Sequence, residues 1–359
     1  MVFDRIGGDD YEQVVYCHDR ASSLRAIVAI HSTLLGPALG GTRFYPFASE
    51  DDALTDVLRL AKGMTYKAAA AGLDLGGGKA VILGDPATAK TEALMRAYGR
   101  FVDSLGGRYI TAEDVGTTQA DMDLVRRETR FVTGVSPELG GSGDPSAATA
   151  YGVLWAMKAV VAHLWGSTSL EGRHVTVAGV GKVGGNLVRH LMEAKAQVTV
   201  ADVTPVAVNR VVEVFDVAVV PVEKVHAVEC DIYSPCALGG ALNPATIGEL
   251  RCAAVVGSAN NQLADGESAS GLADAGVLYA PDYIVNAGGL ITIAEELSPA
   301  GWHHDRAFAA VRRIFDTTAA VLERARAEGV TTAAAADGVA ERRMRDMGSV
   351  GRIRTRVRR

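Results

Sequence analysis

His174-Val-Thr-Val-Ala-Gly-Val-Gly-Lys-Val-Gly184 is the stretch that decides the fold. Val175, Thr176 and Val177 favour a strand, and Gly179-Val-Gly181-Lys-Val-Gly184 then opens a helix. Gln197-Val-Thr-Val-Ala201 reads as a second strand that ends at Asp202, 18 residues past the last glycine. This is a G-x-G-x-x-G run in a complete βαβ setting with its acid. Gly179 makes the turn, Gly181 lets backbone approach a pyrophosphate, and Gly184 lets helix and strand pack closely. The helix N-terminus favours the negative charge. Asp202 is placed to accept from ribose hydroxyls and to repel a 2′-phosphate, which points to NAD rather than NADP. The competing reading is a glycine-rich turn in a parallel α/β sheet that binds nothing, and the full βαβ context makes it the minor one.

Short apolar runs continue downstream at Val217–Val220, Asp231–Tyr233, Ala253–Val256 and Val277–Tyr279. The loops after them, Pro235-Cys-Ala-Leu-Gly-Gly240, Gly257-Ser-Ala-Asn-Asn261 and Asn286-Ala-Gly-Gly289, fall at the strand ends where an open α/β sheet binds ligands. Asn286 can bond a nicotinamide carboxamide, and Asn260 or Asn261 the same group or a ribose, although asparagine alone is more often a turn residue. Upstream, residues 147–164 form an apolar helix expected to link two domains. The glycine-rich break Gly140-Gly-Ser-Gly-Asp-Pro145 before it is a candidate hinge. Helices are expected over 305–328 and 331–346.

The N-terminal half is organised around Lys67-Ala-Ala-Ala-Ala-Gly-Leu-Asp-Leu-Gly-Gly-Gly-Lys79. Two ammonium groups in one cleft disfavour each other's charge, and a desolvated lysine can act as a base. A glycine-rich turn flanked by solvated lysines is an equal reading of the same spacing. Residues 11–31 read as two antiparallel strands, and Gly36–Arg43 as a glycine-marked turn where substrate could meet backbone. Ser49-Glu-Asp-Asp52 resembles a capping box. Leu54, Val57, Leu58, Ala61 and Met64 then recur at helical spacing. Tyr109–Ala112 is a strand leading into Asp114, which on position alone reads as a helix N-cap.

A chain of 359 residues suits two domains. The net charge of −6 argues against a nucleic-acid binder. There is no run of about 18 apolar residues to span a membrane and no basic-then-apolar leader at Met1–Arg5. Cys17, Cys230, Cys236 and Cys252 form no C-x-x-C pair, so no metal site is expected and a cytoplasmic setting is. From Arg342 the chain is rich in arginine, which reads as a helix end and a solvated terminus.

Six blocks in collinear order carry a resemblance. They are Gly36-Pro-Ala-Leu-Gly-Gly-Thr-Arg43, Met64-Thr-Tyr-Lys67, Leu75-Gly-Gly-Gly-Lys79, Thr111-Ala-Glu-Asp-Val-Gly-Thr117, Pro235-Cys-Ala-Leu-Gly239 and Ala280-Pro-Asp-Tyr-Ile-Val-Asn-Ala-Gly-Gly289. Together, from about Tyr11 to Arg343, they resemble the glutamate/leucine/phenylalanine/valine dehydrogenases, the leucine and valine branch above all. The resemblance implies an α/β chain of two domains, an N-terminal mixed-sheet substrate domain and a Rossmann-type NAD domain. Its expected limits are 1–138 for substrate binding and oligomerisation and 139–328 for NAD, with 329–359 returning to the substrate domain. It implies that Lys67 holds the substrate α-carboxylate and that Lys79, as a low-pKa lysine, activates water. Asp114 exchanges protons with the amino group and water, while Gly40 and Gly41 line the substrate site.

Expected cofactor contacts are Gly179, Gly181, Lys182, Val183, Gly184, Asp202, Thr149, Cys236, Ala237, Ala259, Asn260 and Asn286. Glutamate enzymes of the family have a lysine where this chain has Leu39, so a distal carboxylate would be buried unpaired. Leu39, Met64, Ala112, Ile284 and Val285 are expected to wall a pocket for a branched aliphatic side chain. The implied partners are an amino acid, its 2-oxo acid and ammonia, with further copies of the chain in a dimer to octamer. The implied reaction is reversible NAD-dependent oxidative deamination. The same chemistry on phenylalanine or another apolar amino acid and, as the minor reading, a catalytically silent NAD-binding protein are the alternatives.

Overall fold

A computed structural model describes residues 2–8 and 10–350, so the arginines from Arg352 onward lie outside the described residues. The chain divides into two compact units. Unit 1 is Met1–Asp144, Ile293–His304 and Ala340–Arg359, and unit 2 is Pro145–Thr292 and Asp305–Val339. The short return of 293–304 to unit 1 has no counterpart in the expected boundaries. Glu296 fixes that return. Its carboxyl accepts from the Gly134 N–H at 3.0 Å, the Ser142 N–H at 2.8 Å and the Ser142 hydroxyl at 2.5 Å.

Unit 1 begins with α1 (Val2–Gly7), β1 (Gln13–Asp19), β2 (Leu24–Ser32), β3 (Ala38–Tyr45) and α2 (Glu50–Ala70). It continues with β4 (Gly76–Leu83), α3 (Pro86–Ala89), α4 (Glu92–Ser104), β5 (Tyr109–Glu113) and α5 (Gln119–Arg126). The sheet order is β1-β2-β4-β3-β5. β1, β2 and β4 pair antiparallel, and β3 runs parallel to both β4 and β5, so the sheet is mixed. Strand alternation sorts its two faces. Ala26, Val28, Ile30, Ala80 and Ile82 pack with Leu94, Met95 and Met122 of α4 and α5. Ile27, Ala29 and Val81 pack with Leu54, Val57 and Ala61 of α2. Ser49 caps α2, its hydroxyl accepting from Asp52 N–H.

The glycine-rich segments differ from expectation. Gly36–Arg43 is no turn beyond Pro37, since Ala38–Tyr45 is a central parallel strand. A Cβ on Gly40 would lie 1.7 Å from the Gly78 carbonyl oxygen, and one on Gly41 2.5 Å from that of Glu113. The glycines let the neighbouring strands close in. Gly76, Gly77 and Gly78 likewise begin β4, with none of them in the left-handed region. A Cβ on Gly77 would lie 2.0 Å from the Thr65 backbone nitrogen, so this run is where α2 rests directly on the sheet.

Unit 2 opens with α6 (Ser146–Trp165), β6 (His174–Ala178), α7 (Lys182–Glu193), β7 (Gln197–Ala201), α8 (Pro205–Val212) and β8 (Ala218–Val219). Next come β9 (Cys230–Pro235), α9 (Pro244–Glu249), β10 (Cys252–Val255), α10 (Ser268–Asp274), β11 (Leu278–Tyr279) and α11 (Asp282–Val285). The described residues close with α12 (Gly288–Glu295), α13 (His304–Arg312), α14 (Ile314–Glu328) and α15 (Thr332–Val350). The single helix expected over 305–328 is thus two, interrupted at Arg313. All six strands are parallel, in the order β11-β10-β9-β6-β7-β8. This is the doubly wound arrangement, and its switch point lies between β6 and β9.

By length and composition α6 is apolar enough to cross a membrane, a test that a buried core helix also passes. Val153, Met157, Val160 and Val161 on it are buried within unit 2. α15 leaves unit 2 and ends on unit 1, where Arg343 pairs with Asp74 at 2.6 Å and Glu341 accepts from the Tyr66 hydroxyl at 3.2 Å.

Candidate active site

In unit 1 the site follows from strand parity. Gly77, Lys79 and Val81 share one face of β4, the face covered by α2. Leu39, Gly41 and Arg43 share that face of β3, and Ala112 shares it on β5. Lys67 and Met64, both half-buried, are carried by α2 itself. The Thr65–Gly77 contact presses the two lysine-bearing stretches together, since each lysine follows its contact residue by two positions.

Lys79 is 5% exposed, and its Nζ lies 3.1 Å from Oδ1 of Asp114. The other carboxylate oxygen of Asp114 accepts from Arg43 Nε at 3.1 Å. Burial of the Asp114 carboxyl pushes its pKa up, but the Lys79 ammonium and the Arg43 guanidinium outweigh this and hold it below the ordinary range. Arg43 is itself anchored on α2, its second arm 2.7 Å from Asp56. The backbone N–H of Asp114 donates to the Thr117 hydroxyl at 2.9 Å, which in turn donates to the Thr42 carbonyl at 2.8 Å. Asp114 is therefore no helix cap. Thr118 caps α5 in a capping box with Asp121, leaving the Asp114 carboxylate to the two cations.

Beneath this group the opposite sheet face holds a buried hydroxyl network. Tyr109 donates to the Gly40 carbonyl at 2.6 Å. The hydroxyls of Thr42, Tyr98 and Thr111 lie within 3.0 Å of one another. Burial raises the Tyr98 pKa to about 12, so it stays protonated. Gly40 and Gly41 are thus held by strand packing and this network. Leu39 is fully buried and Ala112 nearly so.

Unit 2 carries the glycine cradle. Gly179 has φ +97°, and a Cβ there would lie 2.8 Å from that of Ala237. A Cβ on Gly184 would lie 1.9 Å from the Gly179 carbonyl oxygen. These two glycines are required by packing. Gly181, at the N-terminus of α7 ahead of exposed Lys182 and half-buried Val183, faces open space within 4 Å. The Cys236 N–H donates to the Ala178 carbonyl at 2.7 Å, joining the loop after β9 to the glycine turn. Asp202 accepts from Val180 N–H and Thr204 N–H, both at 2.8 Å. Each of its oxygens keeps a second lone pair for a ribose hydroxyl.

Asn286 is 4% exposed and donates to the Ser258 carbonyl at 3.1 Å and the Asn260 side chain at 2.9 Å. Its own Oδ1 is a buried acceptor with no donor opposite. A carboxamide N–H of a nicotinamide fits that acceptor, so the residues present suit the cofactor. Gln262, absent from the sequence expectations, supports the same loop by donating to the Gly257 carbonyl at 2.8 Å and the Ala259 carbonyl at 3.0 Å. Thr149 of α6 donates to the carbonyl of Pro145, the residue before the helix, at 3.0 Å, and its Oγ1 would lie 2.7 Å from a Cβ on Gly289. Ile284 and Val285 are buried on α11. Among the described residues no group of three His, Cys, Asp or Glu could hold a metal ion.

Comparison with known proteins gives the class: an amino-acid dehydrogenase, of a family that implies a nicotinamide cofactor. The chain belongs, more narrowly, to the glutamate/leucine/phenylalanine/valine dehydrogenase family. The profile of that family's dimerisation domain matches residues 12–131, and the profile of the Glutamate/Leucine/Phenylalanine/Valine dehydrogenase matches 140–211 and 207–348. A valine dehydrogenase from Streptomyces virginiae is 57% identical over 94% of both chains. A leucine dehydrogenase from Geobacillus stearothermophilus is 52% identical over 94% of this chain and 92% of its own. Among solved structures, the L-tryptophan dehydrogenase of Nostoc punctiforme superposes with a TM-score of 0.84 at 43% identity, covering 97% of this chain and 99% of its own.

Proposed function

We propose that this protein catalyses the reversible NAD-dependent oxidative deamination of a branched-chain L-amino acid to its 2-oxo acid and ammonia. The observation that carries the chemistry is the 3.1 Å pairing of buried Lys79 with half-buried Asp114. In this reading NAD, when bound, accepts the hydride from the substrate Cα. Lys67 holds the α-carboxylate, Asp114 takes a proton from the amino group, and Lys79 activates the water that adds to the resulting imine. Asn286 orients the nicotinamide through its unpartnered Oδ1, and Gly181 leaves room for the pyrophosphate.

The choice of NAD rests on Asp202, whose carboxylate would repel a 2′-phosphate. The choice of a branched aliphatic side chain rests on Leu39 and Ala112 on the Lys79 face, on Met64 of the covering helix α2, and on the valine and leucine relatives. The tryptophan-acting relative supports a second reading, a larger apolar substrate. One methylene in an apolar pocket discriminates by only about 1–3 kcal/mol, so valine and leucine are both expected to turn over. The family's dimerisation domain supports a homo-oligomer. Four free cysteines suit a cytoplasmic setting.

The test is the initial rate of amino-acid-dependent NADH formation with valine, leucine, isoleucine, phenylalanine, tryptophan and glutamate. Turnover of the aliphatics with little on glutamate is expected. Turnover confined to the aromatics would refute the pocket, and none on any substrate would refute the activity.

A further inference from the structure

Arg43 is one of the residues the sequence blocks contain without a role. It leaves β3 on the face covered by α2 and bridges two carboxylates, with Asp114 at 3.1 Å and Asp56 at 2.7 Å. Asp56 is held in turn by Arg59 at 3.1 Å. The bridge is poorly solvated, Arg43 being 23% and Asp56 15% exposed at the side chain. A planar guanidinium with two separate anchors cannot swing away from Asp114 as a lone lysine could. It occupies Oδ2 of Asp114 and leaves Oδ1 turned to Lys79.

We propose that Arg43, anchored by Asp56, is a positioning residue that fixes both the aim and the charge of Asp114 beside Lys79. The proposal rests on the dehydrogenase reading above and adds a residue that need not touch the substrate. The charged groups facing Asp114 are Lys79 from β4 and Arg43 from β3, with Asp56 and Arg59 behind Arg43 on α2. Glu113 precedes it in the chain, and Lys67 is carried by the covering helix. Removing the Arg43 cation raises the proton affinity of Asp114.

The experiment is the pH dependence of kcat and of kcat/KM in the wild type, Arg43→Gln, Arg43→Lys and Asp56→Asn. Arg43→Gln is expected to move the acid limb of kcat up by about one pH unit or more, the range for loss of an opposite charge this close. At pH below that limb kcat then falls about tenfold relative to the wild type, with the amino-acid KM little changed. Arg43→Lys restores part of the shift, and Asp56→Asn, which leaves the Asp114 contact in place, gives a smaller one. An acid limb unmoved in Arg43→Gln would overturn the proposal. So would a raised KM with an unchanged profile, which would assign Arg43 to substrate binding. If Arg43→Gln does not fold, Arg43→Lys and Asp56→Asn carry the same test through the position of their acid limbs. Absence of turnover in the wild type would refute the dehydrogenase reading instead. Arg43 would then be judged by the carboxyl titration of Asp114 followed by carbon NMR in wild type and Arg43→Lys, where an identical midpoint would overturn it.

Discussion

Gly77→Ala tests how the two lysine-bearing stretches are held together. A Cβ on Gly77 falls 2.0 Å from the Thr65 backbone nitrogen, 2.2 Å from its Oγ1 and 2.5 Å from its Cα. Non-bonded heavy atoms settle near ~3.5 Å, so α2 must retreat from β4 by roughly 1.5 Å. Two of the three obstacles are backbone, and no rotamer change relieves them. Overpacking of this kind costs about 1–3 kcal/mol, a loss the folded chain is expected to survive. The catalytic cost is larger. Thr65 stands two residues before Lys67 and Gly77 two before Lys79, so the displacement falls between the proposed carboxylate clamp and the water-activating lysine. A misplacement of about 1 Å can cost about 100-fold in rate. Steady-state kinetics should show kcat/KM for valine or leucine down by about that factor, and thermal unfolding a drop of several degrees. Gly63→Ala, on the same helix with nothing within 4 Å of its Cβ, is the control and should stabilise by about 1 kcal/mol. A Gly77→Ala enzyme with wild-type kcat/KM would refute the close-approach account and return the run to a simple turn.

Three further outcomes follow from the geometry. Tyr109→Phe removes the donor to the buried Gly40 carbonyl and should cost about 1–3 kcal/mol in urea unfolding, more than Tyr16→Phe on the exposed face of β1. Asp202→Gly should relax the bias against NADP, read as the ratio of kcat/KM for the two cofactors; an unchanged ratio would remove Asp202 from cofactor choice. The Asp114 carboxyl has its pKa lowered in the folded state, so the unfolded chain takes up the proton first as pH falls. Its stabilising contribution is full above the unfolded value near 3.8 and disappears as pH drops through the folded one. The stability gap between wild type and Asp114→Asn should therefore narrow with acidification in that range, and a gap independent of pH would contradict the ion-pair account.

The nucleotide unit was largely legible because its signals are local. Gly179 to Asp202 spells strand, turn, helix and strand in one continuous run, and β6, α7 and β7 fall where that run puts them. Unit 1 was harder. β3 carries glycine at two of its central positions, which reads as a turn until Gly78 and Glu113 are seen pressed against them from both sides. That misreading also hid Arg43, whose role depends on partners 13 and 71 residues away in sequence. The segment Thr42-Arg-Phe-Tyr45 does hold β-favouring residues and could have signalled the strand. Asp114 read as a cap because nothing local separates it from Thr118, which holds the cap through Asp121. Gln262 gave no signal at all, since its partners are carbonyls of a loop it closes. The return of 293–304 depends on Glu296 reaching residues more than 150 positions earlier.

Lys79 and Asp114 are proposed to carry the chemistry while unit 2 holds the cofactor. The most direct measurement is the turnover of Asp114→Asn with its preferred aliphatic amino acid, alongside NADH binding followed by protein fluorescence. Asparagine keeps the size of Asp114 and loses its charge, so kcat is expected to fall by at least about 100-fold, the lower range for loss of a proton-transferring group. The NADH dissociation constant should stay within about twofold. Wild-type turnover in Asp114→Asn would contradict the account, and a loss of NADH binding equal to the loss of rate would move Asp114 from the chemistry to the cofactor.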